Sequence, residues 1–325
     1  MKKKCASQTA PRRSWKNAIL LTLGALALCA SPAAEPAAPC TFPAAWIGST
    51  GSWFDSRNWD NGRVPDSDTS AYINNGGTAD INSTGAQACE LFLGFYAANS
   101  GKVSINGGSL AVTTELEVGA FGKGTLSITN GATVSAGLLT IAALDPSSSG
   151  SVSVDGATVT IATRADVGGD NGNTGGIGLM TIKNGGTVTV SAGYLRVYKS
   201  GTLTGNGTLS ASSGTSIEGT LSPSGTLTIG GNLLFGAFGT TRCNVTASSW
   251  DRIDVSGAAT LDGRLSVTLT GFFTGDFPLL HAAGGIVPNT TFSSVSFIYS
   301  GCLAPSIRYD YVNGYVYLHV ESTCQ

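Results

Sequence analysis

A chain of 325 residues with a formal net charge of −2 and only 12% charged side chains has no basic stripe and no arginines interleaved with aromatics. It therefore lacks the electrostatic footprint of a nucleic-acid-binding protein. Its 45 glycines and 42% hydrophobic residues, without the Leu, Glu and Lys patterning of helices past roughly the first thirty residues, describe an all-β chain of the secreted kind.

At the start, Lys2, Lys3, Lys4, Arg12, Arg13 and Lys16 precede an apolar stretch from Ala18 to Ala30, followed by Ser31-Pro32-Ala33-Ala34. This is the layout of a secretory signal peptide, expected over 1–33. The stretch is shorter than the roughly 20 apolar residues of a membrane-spanning helix, so no transmembrane segment is expected in the mature chain. Arg12-Arg13-Ser14-Trp15-Lys16 has twin-arginine features, and Leu26-Ala27-Leu28-Cys29 approaches a lipoprotein box with Leu28 where a small residue belongs. The export route and lipidation of Cys29 stay open.

Residues 34–70 differ from everything after them. Trp46, Trp53, Phe54 and Trp59 crowd one short segment, and aromatics there suit an N-terminal cap, because an uncapped stack exposes strand edges and an apolar cross-section. The functional alternative is a platform on which flat rings stack against sugars.

From 71 to 270 a two-strand unit repeats. Asn106-Gly107, Asn130-Gly131, Asp155-Gly156, Asn184-Gly185 and Asn206-Gly207 recur roughly every 22 to 29 residues, a solenoid period. Between them the chain alternates, so Val103, Ile105, Leu110 and Val112 share one face while Ser and Thr share the other. A second strand ends in an apolar residue and glycine: Leu91-Phe92-Leu93-Gly94, Leu116-Glu117-Val118-Gly119, Ala165-Asp166-Val167-Gly168, with a decayed copy at Leu139-Thr140-Ile141-Ala142. Asn-Gly also signals hairpins, but one unit repeated without variety favours a single-stranded right-handed parallel β-helix over a hairpin stack. About eight coils are expected between Ala71 and Leu269, stacked roughly 4.8 Å apart into a rod of about 40 Å.

Residues 271–325 break the period and close with Tyr309-Asp310-Tyr311-Val312-Asn313-Gly314-Tyr315-Val316-Tyr317, expected to form a C-terminal hairpin cap. After cleavage five cysteines remain. Cys302 and Cys324 flank this hairpin and are expected to clip it; Cys40 and Cys89 would tie the lead-in to the first coil. Cys243 is left as a buried free thiol or an intermolecular link.

Chemistry is sparse. Glycoside hydrolysis needs two carboxylates roughly 5 to 9.5 Å apart, and the matching coil positions are read as Ser, Thr and Gly. Asp145, Asp155, Asp166 and Asp170 are assigned to turns or coil edges, as turn formers rather than catalysts. His281 and His319 have no partner at zinc spacing. Gly168-Gly169-Asp170-Asn171-Gly172-Asn173-Thr174-Gly175-Gly176 resembles a calcium β-roll turn but occurs once, and reads better as an insertion. No catalytic residue, metal ligand or cofactor site is assigned.

The Trp46-to-Trp59 opening with Val64-Pro65-Asp66-Ser67-Asp68, the Val-Gly and Asn-Gly-Gly-Thr-Val repeats, and Ile253-Asp254-Val255-Ser256-Gly257-Ala258-Ala259-Thr260-Leu261-Asp262-Gly263 resemble the autotransporter-associated and PEP-CTERM-associated β-strand repeat proteins of bacterial envelopes. The resemblance spans about 40 to 320. It implies an exported parallel β-helix with no established catalytic residues, although neither a membrane barrel nor a sorting helix follows the last coil. The expectation is a secreted or cell-surface solenoid with a structural or adhesive role, meeting a surface polysaccharide, a protein or another copy of itself. A carbohydrate-active enzyme or polysaccharide-binding module, and an extracellular filament subunit, are the alternatives.

Overall fold

The computed structural model describes residues 40–170 and 172–323; the expected signal peptide and Cys324 lie outside them. The described chain is a parallel β-solenoid with no α-helix, one 3-10 turn and no helix long and apolar enough to cross a membrane. Each coil has three arms. The first arms form an eleven-stranded sheet from Thr50–Ser52 to Ser294–Ile298, and the second and third arms share an eighteen-stranded sheet bent at a corner. In Ser109–Val118 the residues before that corner pair in the second arm and those after it in the third, across a register shift between Ala136 and Leu138 of the next coil. Nine first-arm strands lie between Ala71 and Leu269, one coil more than expected.

Period-two alternation drives the stacking. Val103, Leu126, Val152, Met180, Leu203 and Leu221 fall in one register column and each is 0–1% exposed. At about 1.5 to 3 kcal/mol per buried aliphatic side chain, such columns outweigh any single turn in holding coil to coil.

The Asn-Gly pairs turn the chain from first to second arm instead of closing hairpins. Asn130 and Gly131 have φ of 56° and 71°, Asn184 and Gly185 of 52° and 77°. Their side chains also ladder between coils: Asn130 Nδ2 donates to Asn106 Oδ1 at 2.7 Å, and Asn184 Nδ2 to Asp155 Oδ1 at 2.7 Å. At the exit of the third arm Gly94, Gly119 and Gly168 have φ of 66°, 79° and 77°, and Ala142 of the decayed copy takes the same conformation at 54°. The left-handed bend thus persists where its glycine is lost, at a steric cost for alanine.

Trp46, Trp53 and Trp59 plug the first coil at 2%, 0% and 1% exposure, meeting edge to face with centroids 5.1 Å and 4.9 Å apart. Trp59 Nε1 donates to the Trp53 carbonyl at 2.9 Å. Phe54 does not join them: alternation turns it outward from Trp53, and it is 36% exposed. The same segment covers the leading strand edge, with Asp60 bonded to both backbone groups of Ala45 and Ile47 N–H donating to the Asn58 carbonyl.

The Cys40–Cys89 disulfide is present. At the other end Leu303–Asp310 and Tyr315–Ser322 form an antiparallel hairpin, and Tyr315–Ser322 runs antiparallel to Gly275–Ala282. Cys302 is disulfide-bonded. Cys243 is buried as a free thiol.

Candidate functional site

Two flanks of the rod are smooth. On the first arm Ser104, Ser127, Ser153, Thr181, Thr204 and Ser222 form one outward column, and on the second Ala111, Ser135, Thr160, Thr189 and Ser210 form another. The third arm departs from this. Its outward column runs Tyr72, Phe92, Glu117, Thr140, Asp166, Arg196 and Ser216, and the neighbouring column carries Leu138 in register with both Glu115 and Arg164. The inward neighbours Leu91, Leu116, Leu139, Ala165 and Leu195 are fully buried, which fixes the outward direction of the residues between them.

At the N-terminal side of this face the rings cluster. Tyr72 stacks on Phe92 at 4.9 Å and 17°, and Phe95 packs edge to face on Phe92, Tyr96 and Phe121 at 4.8, 5.1 and 5.9 Å. Tyr96 is 57% exposed. Glu90, Glu115 and Glu117 follow, with Ser70 Oγ donating to Glu90 Oε2 at 2.7 Å.

The C-terminal side is covered by the insertion, which forms a short antiparallel ladder between Gly169–Asp170 and Asn173–Thr174. Gly172 N–H donates to the Tyr198 hydroxyl at 3.0 Å, and Ser200 Oγ donates to the Gly168 carbonyl at 2.8 Å. Arg164 ties the insertion to the sheet, with Nη2 2.7 Å from Asp170 Oδ1 and Nε 3.3 Å from Asp166 Oδ2. The contact to Asp166 is an ion pair without hydrogen-bond alignment, since neither Asp166 oxygen has a hydrogen-bond partner among the described residues. The Thr140 hydroxyl beside it is in the same position.

Burial and like charge set the proton affinities. Glu117 is pushed up to about 8 by burial first, then by Glu115, Asp170 and Glu90. Burial likewise raises Glu115, with Asp170 and Glu90 adding and Arg164 opposing. Asp166 is pushed up to about 6 by burial against the pull of Arg164. Glu117 is thus held in its protonated form at neutral pH.

The reading of the matched positions as Ser, Thr and Gly is therefore corrected for the third arm. Asp145 and Asp155 sit at coil corners, and Asp170 on the insertion, as read, but Asp166 is a fully buried strand residue. Glu90, Glu115 and Glu117 went unassigned. Yet the residue between the two apolar positions of each third-arm motif belongs to this column, and aligning the motifs by their closing Gly94, Gly119, Ala142 and Gly168 brings Phe92, Glu117, Thr140 and Asp166 together.

Glu117 and Asp166 stand two rungs apart, roughly 10 Å at the backbone, near the upper end of the separation used by inverting glycosidases. Both are covered, at 4% and 0% exposure, so neither faces an incoming bond. What the face presents is rings and the partly exposed carboxylates of Glu90, Glu115 and Asp170. Among the described residues no three His, Cys, Asp or Glu side chains gather closely enough to hold a metal ion. His319 lies elsewhere, in the terminal hairpin between Asp276 and Glu321 at 2.7 and 3.2 Å.

No protein-family model matches the chain, and no curated protein resembles it in sequence.

Proposed function

We propose that this protein is an exported, non-catalytic β-solenoid that binds an extended polysaccharide along its third arm. The observation that carries the reading is the aromatic and acidic column from Tyr72 to Asp166 on a rod whose other flanks are Ser and Thr. Rings offer apolar faces to sugar rings, and carboxylates accept hydrogen bonds from sugar hydroxyls. A disulfide in the lead-in accords with an oxidising compartment. The burial of Glu117 and Asp166 argues against turnover.

Co-sedimentation and calorimetry against a panel of neutral, acidic and amino-sugar polysaccharides test this. Binding that drops at least tenfold in Tyr96→Ala, with the fold intact by circular dichroism, is expected. Binding indifferent to Tyr96 and to Glu115→Gln, or absent across the panel, rules the face out.

A second reading, a glycan-cleaving enzyme, is favoured by one observation: Glu117 with raised proton affinity stands two residues from Glu115 on the same strand, an acid beside a candidate base. It requires new reducing ends during incubation with a bound polymer, abolished in Glu117→Gln. Binding without new reducing ends supports the first reading.

A further inference from the structure

The two ends of the rod are finished differently. At the N-terminal end the leading edge is bonded by Asn58 and Asp60, and the core is sealed by Trp46, Trp53 and Trp59. At the C-terminal end the second arm finishes in Leu303–Asp310, an edge strand carrying Pro305 and the ion pair of Arg308 with Asp276, both of which discourage further pairing. The first arm finishes in Ser294–Ile298, of sequence Ser-Val-Ser-Phe-Ile, with neither charge nor proline.

This strand pairs in parallel with Arg264–Thr270, and no strand pairs its other side among the described residues. Ser294 N–H donates to the Gly263 carbonyl. By the alternation of a parallel ladder, Ser294, Ser296 and Ile298 spend their backbone groups on that neighbour, which leaves the N–H and C=O of Val295 and Phe297 aimed outward. Val295 and Ile298 are 37% and 61% exposed, and Tyr299 beyond them 45%.

We infer that Ser294–Ile298 pairs antiparallel with the same strand of a second copy, joining two rods tail to tail about a two-fold axis through Ser296. The register is self-complementary. Val295 falls opposite the second copy's Phe297, so the outward N–H and C=O groups of both strands are satisfied and the apolar ends of the two cores meet. Ser296 faces its own counterpart in a non-hydrogen-bonded pair.

The staggered end fits the same operation. The hairpin carries the second arm one rung beyond Ser294–Ile298, while the third arm stops one rung short of it, at the Ala259–Ile286 bridge. A two-fold axis normal to the first arm exchanges the other two arms, setting the long side of one copy against the short side of the other. Because the N-terminal edge is closed, association ends at two copies and no filament follows. This inference is independent of the third-arm binding face.

Light scattering on the purified protein tests it, with twice the chain mass expected at micromolar concentration. Val295→Pro removes an N–H that is unpaired in the single rod and keeps an apolar side chain at that position, which an edge strand tolerates, and is expected to give the single-chain mass with unchanged circular dichroism. As a second probe, Ser296→Cys is expected to form a reducible crosslinked dimer under mild oxidation, because a non-hydrogen-bonded antiparallel pair holds Cα atoms roughly 4.5 Å apart. A single-chain mass for the native protein, species larger than two, a Val295→Pro dimer, or a Ser296→Cys variant that fails to crosslink would each overturn it.

Discussion

Glu117 and Asp166 occupy the same outward column of the third arm, two rungs apart, with Thr140 in register with both. Two covered carboxyl groups and a hydroxyl thus share one strip of the sheet, and the Asp166 oxygens and Thr140 Oγ1 have no hydrogen-bond partner among the described residues. Each such buried group costs about 1 to 3 kcal/mol, so this strip destabilises the coils that carry it.

The first consequence is a stability that falls with rising pH. In the folded chain Glu117 keeps its proton to about 8 against an ordinary value of 4.5. Between those values the folded state binds more protons than the unfolded one, so stability declines across that window and levels off above it, by an amount on the order of 5 kcal/mol. Asp166, raised from 3.8 to about 6, adds a shallower fall at lower pH. Thermal unfolding of the native protein and Glu117→Gln over this range isolates the effect. The Gln variant should hold its midpoint where the native chain loses it, and parallel curves would sink the assignment.

Arg164 is the cation that holds Asp166 and Asp170 together. Arg164→Met leaves a buried carboxylate facing Asp170, and a loss of roughly 3 kcal/mol is expected where Asp166 is ionised. Below about pH 6 the loss should shrink, because Asp166 then carries its proton and needs no counter-ion. Denaturant midpoints at the two pH values check this; an equal loss at both contradicts it.

Asp251 stitches two coils together. Its Oδ1 accepts from Gly225 N–H at 2.8 Å, and its Oδ2 accepts from the Asn244 N–H and Nδ2 at 2.7 and 2.9 Å, at 7% exposure. Asp251→Ala leaves two backbone donors without partners and should cost about 3 kcal/mol, read from the urea midpoint. A change under roughly 0.5 kcal/mol would show that solvent takes over those donors.

Cys243 faces the core, with burial holding its thiol far above the reactive range. A thiol probe should leave it untouched in the native protein and modify it at the rate of unfolding in denaturant. The comparison is with Cys243→Ala. Native labelling, or a non-reducing ladder abolished by that substitution, contradicts this.

The coil was legible because it is a local property. Alternation put Val103, Ile105, Leu110 and Val112 inward, and all four are buried; glycines marked the bends. The tryptophan plug was legible for the same reason, with Phe54 the exception because it follows an inward residue. The acidic column was not, since it exists only in the register between coils. Asp166 and Glu117 are 49 positions apart in sequence, and only the stacking of Thr140 between them makes them neighbours. The ion pair of Arg164 with Asp166 and Asp170 was hidden too, because it forms only once the insertion folds back beside the strand.

The Cys40–Cys89 bridge, closing a separation of 49 residues, and the bonded Cys302 beside the terminal hairpin place a covalent tie at each end of the stack. Coils exchange energy mainly with their nearest neighbours, so an untied rod of this kind opens from its free ends. Here unzipping from either terminus is held back, and opening starts in the coils between the two ties. Backbone hydrogen exchange should then show Ala79 and Leu265, toward the two ends, opening no faster than Val152 in the middle.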